Sequence, residues 1–150
     1  MRRERGDRRG LGVVLAGLGL IDTTAGEYAG AERHLAEAEG MFERAGDRWG
    51  LAITLWRIAD LEVARGRLDD AEAALERARR VLGPTQRERW IANTVAGLAE
   101  IALEQGDPDR AVALLRDARE RYASRQDTLG VADVEERLRA IAKAPQSPGK

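Results

Sequence analysis

The chain lacks cysteine and has a single histidine among its 150 residues. That excludes a disulfide scaffold, a thiolate zinc site, a thiol nucleophile and any multi-histidine metal centre. Aromatic residues make up only 4%: three Trp, two Tyr and one Phe. A core must therefore be built from Ala, Leu, Val and Ile. A surplus of charge is missing too, with 25 Lys+Arg against 26 Asp+Glu. This balance argues against direct nucleic-acid binding, because phosphate contacts need excess cations. All the bases except Lys143 and Lys150 are arginine. With abundant Ala and Gly, the bias reads as that of a GC-rich bacterial genome. The uncharged stretch Gly10–Ile21 follows a basic start and shares features with a secretory signal. It is too short for a bilayer, which takes roughly 20 residues, and it belongs to a repeat. Nowhere do apolar and polar residues alternate as in a strand.

What the sequence does contain is a period of 40 residues. Gly6-Asp7-Arg8 falls on Gly46-Asp47-Arg48, Gly10-Leu11 on Gly50-Leu51, and Leu15 on Leu55. Gly26, Gly66 and Gly106 superimpose, as do Ala31, Ala71 and Ala111. Leu35, Leu75 and Leu115 follow, then Ala38, Ala78 and Ala118. Leu18, Ile58, Leu98 and Leu138 extend the register into a fourth, half-length copy.

Each copy reads as two helices. Leu51, Leu55, Ile58 and Ala59 step by three and four residues along one face. Gly66 then supplies the left-handed residue that a helix end favours. Asp69-Asp70 places carboxylates at the positive end of the next helix, and Ala71, Ala74, Leu75, Ala78 and Leu82 form its apolar stripe. Gly83-Pro84 closes it. In the third copy Asp107-Pro108-Asp109 is the start signal, since proline is tolerated in a first turn. The expectation is seven helices, with tails 1–5 and 144–150 disordered.

This pattern resembles the tetratricopeptide repeat, whose signature is W-x2-L-G-x2-Y, then A-x3-F, then P. The L-G pair corresponds to Leu18-Gly19, Ile58-Ala59 and Leu98-Ala99. The A-x3-F step corresponds to Ala31/Leu35, Ala71/Leu75 and Ala111/Leu115. The Trp of the signature is here Leu15, Leu55 and Val95; its Tyr is Asp22, Glu62 and Ala102; and its closing Pro is absent. The period of 40 is similar to that of C-terminal repeats in large bacterial transcription activators and antibiotic-pathway regulators. The resemblance implies an all-α, right-handed α-solenoid of about three and a half helix-turn-helix repeats. The array would span 6–143, with repeats at about 6–45, 46–85 and 86–125 and a capping helix at 126–143.

The resemblance also implies a binding groove lined by the first helix of each repeat. The positions carried over include Val13, Ala16, Gly17, Leu20 and Thr24, then Ile53, Trp56, Arg57 and Asp60. Asn93, Glu100, Asp133 and Arg137 follow. Such a groove would run from apolar to acidic and suit a peptide or protein partner with a basic segment. Trp56 and Arg57 are residue types enriched at binding hot spots, while Trp49 and Trp90 read as packing or rim residues. An alternative function is sensing of a small-molecule inducer, in a pocket between Leu20 and Trp56.

Catalysis is not expected. Gly10, Gly12, Gly17 and Gly19 lie inside a helix and do not follow a strand, as a dinucleotide loop requires. His34 has no nucleophile beside it in sequence, and adjacent carboxylates such as Glu135-Glu136 diverge by about 100° on a helix. No catalytic residue, metal or cofactor is assigned, and a cytoplasmic location is expected. The helix over 11–24 is apolar nearly all round and contains three glycines, each costing roughly 1 kcal/mol. It calls for a cover, either an upstream domain of a longer chain or a second copy, or else it stands as a weakly ordered helix with an exposed patch.

Overall fold

A computed structural model describes residues 2–83 and 88–145. Among them are seven helices and no strand: α1 (Arg2–Ala25), α2 (Tyr28–Ala45), α3 (Arg48–Ala64), α4 (Leu68–Leu82), α5 (Glu88–Glu104), α6 (Pro108–Ser124) and α7 (Thr128–Lys143). The chain divides into two compact units, the first ending at Pro84. In the first, α1 pairs with α2 and α3 with α4, while α2 and α1 both pack on α3. In the second, α6 pairs with α5 and with α7. This is the all-α architecture of stacked helical hairpins that the period implied.

The turns explain the regularity. Gly26, Gly46, Gly66 and Gly106 all have positive φ. The residue after each donates its N–H to a carbonyl five residues back: Glu27 to Asp22, Asp47 to Phe42, Arg67 to Glu62 and Asp107 to Ala102. These are left-handed caps that satisfy orphan carbonyls at each helix end. Gln126 takes the same conformation at φ 55° without being glycine. Asp47, Asp107 and Asp127 then cap the next helix through their carboxylates, accepting from Gly50, Arg110 and Gly130. Asp69 and Asp70 stand in the first turn of α4 but do not cap it; Arg67 holds that position.

The repeated small residues lie at the centre of the packing. Ala31, Ala38, Ala71, Ala78, Ala111 and Ala118 are all fully buried, so the backbones of paired helices approach closely. Leu35, Leu75 and Leu115 fill the space between them. Ion pairs tie neighbouring helices on the outside. Arg65 bonds Glu32 at 2.7 Å and the Tyr28 carbonyl at 3.2 Å, and its guanidinium holds the Glu32 carboxyl below the usual carboxylate range. Arg77 bridges from α4 to Glu39 at 2.6 Å and Glu43 at 3.2 Å on α2. Arg77 is thus held by carboxylates of the neighbouring hairpin.

One boundary differs from expectation. Residues 3–5 are not an irregular tail, because α1 begins at Arg2 and runs for 24 residues. Its four arginines from Arg3 to Arg9 alternate with Glu4 and Asp7, a pattern compatible with an exposed helical extension. At the other end Ala144 is extended after α7, and residues 146–150 lie outside the described part.

Candidate binding surface

The ten candidate residues fall into two groups, one in each unit. In the first unit α1 and α3 lie side by side, and a cavity of about 310 Å³ opens between them. Arg9, Val13, Ala16 and Gly17 of α1 line one wall, and Trp49, Gly50, Ile53 and Arg57 of α3 the other. Phe42 and Asp47 complete the lining. Two of the carried-over positions in the candidate set, Ile53 and Arg57, therefore meet there, together with Val13, Ala16 and Gly17.

The remaining candidates of this unit stand apart from the cavity. Leu20 is half-buried and Thr24 exposed, its hydroxyl bonded back to the Leu20 carbonyl at 2.9 Å. Asp60 is exposed and lies 3.7 Å from Arg57. Trp56 stacks edge-on against Trp49, with ring centroids 6.1 Å apart and planes at 87°. This arrangement has the favourable edge-to-face geometry. Neither Leu20 nor Trp56 lines the cavity, which sits nearer the start of both helices with Trp49 in its wall.

The cavity's polar parts are already engaged. Asp47 accepts from the Gly50 N–H with one oxygen and pairs with Arg9 at 2.9 Å with the other. A larger, wider depression of about 810 Å³ adjoins it, lined by Arg5, Arg8, Arg9 and Arg44 with Met41, Ala45 and Asp47. Sequence reasoning missed this basic mouth. The available signal was the recurrence of an Arg and Asp at the same separation, Arg9/Asp47 and Arg89/Asp127, in positions 80 residues apart.

In the second unit Arg137 on α7 collects two candidates, Glu100 of α5 at 2.5 Å and Asp133 at 2.9 Å. Two carboxylates sharing one guanidinium leave a net negative charge. Asn93 is committed within the fold, because its side-chain carbonyl accepts from the Tyr122 hydroxyl. The Trp90 backbone carbonyl accepts from the Thr94 hydroxyl at 2.9 Å. His34, set aside for catalysis, bonds Asp22 at 2.7 Å and so joins α2 to α1. Among the described residues no group of three His, Asp or Glu side chains could hold a metal, and no helix is long and apolar enough to cross a membrane.

Helical hairpins stacked at a fixed period, each capped by a left-handed glycine, define a helical-repeat scaffold. A model of the tetratricopeptide repeat matches residues 50–124, half of the chain, and the chain belongs to that family. No curated protein matches it. Repeats of this family mediate protein–protein interaction, and the fold is typically a scaffold without catalytic activity.

Proposed function

We infer that the chain is a binding module that holds a segment of a partner protein against the first helices of its repeats. The observation that carries this reading is the α1–α3 cavity. Its walls combine apolar surface, an indole and two guanidinium groups, the mixture that marks anchoring pockets. One apolar side chain of the partner enters it. In the second unit, the negative balance around Glu100, Asp133 and Arg137 separately favours a basic segment. The context is a bacterial regulator of the kind its 40-residue period resembles, working in the cytoplasm. A second reading, a small-molecule inducer in the same cavity, is favoured by its volume, which falls at the lower end of the roughly 300–1,000 Å³ of ligand pockets.

Tryptophan fluorescence during titration with apolar-basic peptides tests the first reading. Gly17 faces the cavity and a Cβ added there meets nothing within 4 Å. Gly17→Leu therefore fills the space with the fold intact, and abolishes the response. Trp56→Ala weakens it by removing the support of Trp49. Saturable binding of peptides that survives Gly17→Leu would move the site elsewhere. A response to small apolar acids, and none to any peptide, would favour the second reading.

A further inference from the structure

The helix α1 exposes an apolar face that its counterparts bury. Leu11, Val14, Leu18 and Ile21 are 46%, 57%, 37% and 63% exposed. Shifted by 40 residues they become Leu51, Thr54, Ile58 and Leu61 of α3. Thr54 and Leu61 are buried, and Leu51 and Ile58 pack against clusters built around Phe42 and Leu35. Shifted by 120 they become Val131, Val134, Leu138 and Ile141 of α7, which packs on α6, with Val134 fully buried. The face open on α1 is the face through which α3 and α7 receive the hairpin before them.

A second, independent observation says what fits there. A Cβ on Gly50 would lie 2.3 Å from the Phe42 ring, and one on Gly130 would lie 2.4 Å from Tyr122. In both junctions an aromatic side chain, eight residues earlier in sequence, occupies the space a side chain would fill. Gly10 is the equivalent position of α1, and a Cβ there meets nothing within 4 Å. It is a cradle of the same design with no ring in it. The sequence Gly6-Asp7-Arg8 also repeats Gly46-Asp47-Arg48, which forms the left-handed turn and the cap of α3, although here Gly6 lies within α1; a docked hairpin joined ahead of it would turn at Gly6.

We propose that the Gly10–Ile21 face of α1 is a docking surface for a helical hairpin of this same repeat type. Its second helix carries the Ala-x3-Leu-x2-Ala-x3-aromatic pattern of α2 (Ala31, Leu35, Ala38, Phe42) and α6 (Ala111, Leu115, Ala118, Tyr122), and seats the aromatic over Gly10. The exposed leucine, valine and isoleucine side chains pack against its leucine and alanines, as their equivalents do on α2 and α6. A second copy of the chain is a poorer occupant, because its own α2 and α6 already spend these faces on α3 and α7.

The test adds such a hairpin to the intact chain. A copy of residues 6–45 is fused directly ahead of Gly6, which sets the copied Phe42 eight residues before the original Gly10. Thermal unfolding and hydrogen exchange at residues 11–21 are compared with the unfused chain. The expected result is a midpoint raised by roughly 5 °C or more and exchange slowed at least about tenfold at the original α1. Copied Phe42→Ala removes most of both gains. Gly10→Ala gives the sharper readout: it raises the midpoint of the unfused chain, where it meets empty space, and lowers that of the fusion, where it meets the ring. The proposal fails if Gly10→Ala acts in the same direction in both chains, or if exchange at 11–21 is unchanged by the fusion. It fails equally if the unfused chain already forms a dimer that protects 11–21.

Discussion

The α2–α3 junction of the first unit and the α6–α7 junction of the second are built from the same parts. Each seats an aromatic side chain on a glycine, Phe42 on Gly50 and Tyr122 on Gly130. Each has an aspartate cap paired to an arginine from the preceding first helix, Asp47 with Arg9 and Asp127 with Arg89. They differ in how the aromatic is held. Phe42 is wedged between two glycines, because Gly12 on α1 also faces its ring. Tyr122 has Ala92 at the position equivalent to Gly12, and its hydroxyl instead bonds Asn93. One joint rests on shape alone and the other adds a polar tether. At the equivalent positions between them the sequence has Leu82, Arg87 and Trp90, so the full set of parts recurs at 80 residues and not at 40.

Removing the two rings is the strongest way to break this comparison. Phe42 is almost fully buried and touches helices on both sides. Phe42→Ala leaves a cavity against two glycines that have no side chain with which to fill it. The expected loss is about 3–5 kcal/mol, read by urea unfolding, with Tyr122→Ala costing less if its surroundings collapse more readily onto Ala92. Equal losses would mean that the second glycine contributes nothing to the first joint.

Adding a methyl group on the other side of the joint comes next. Gly50→Ala and Gly130→Ala force the facing ring to move, at an expected cost of about 1–3 kcal/mol each, offset in part by roughly 1 kcal/mol of gained helix propensity. Combining Gly50→Ala with Phe42→Leu restores part of the loss, since leucine leaves room for the new Cβ. A double variant no better than the sum of its parts would show that ring and glycine are not coupled.

How much of this was legible in the sequence follows from what kind of signal each feature leaves. The seven helices and their stacking were legible, because turn glycines and buried alanines recur at one spacing and each has a single physical reason to be small. The start of α1 was not: four charged residues before a glycine look like a tail, and only the absence of a break at Gly6 makes them helix. Four of the five glycines in α1 looked uniform in sequence but do different things. Gly12 and Gly19 accept Phe42 and Leu35, whereas Gly10 and Gly17 face open space. The groove positions were carried over by register, which finds the right face of a helix but not the depth of a wall. Hence Ile53 and Arg57 met the cavity, while Trp56 was found to support Trp49 from behind. The Asn93–Tyr122 and Glu100–Arg137 pairs needed coordinates, since the partners lie 29 and 37 residues apart in unrelated positions of the repeat, whereas Asp133–Arg137 is a plain four-residue helical spacing.

The smallest effect isolates the polar tether. Tyr122→Phe removes one hydrogen bond and leaves the ring in place, so it costs about 0.5–1.5 kcal/mol and makes the second joint chemically like the first. The buried phenol also gives the second joint a pH dependence that the phenylalanine of the first cannot have. Burial, and then the charges of Asp127 and Asp133, push the Tyr122 phenol above its usual range, against the smaller opposing pull of Arg137 and Arg89. The folded chain therefore keeps this proton after the unfolded chain has lost it, so the unfolded state binds fewer protons and stability falls as pH rises. The contribution is intact below the ordinary tyrosine value near about 10 and declines from there until the folded phenol itself ionises. An ultraviolet absorbance titration of Tyr28→Phe, folded and in urea, isolates the group; the folded curve is expected at higher pH. Tyr122→Phe should flatten the alkaline slope of stability by the corresponding amount, and a slope unchanged by that substitution would place its origin in another group.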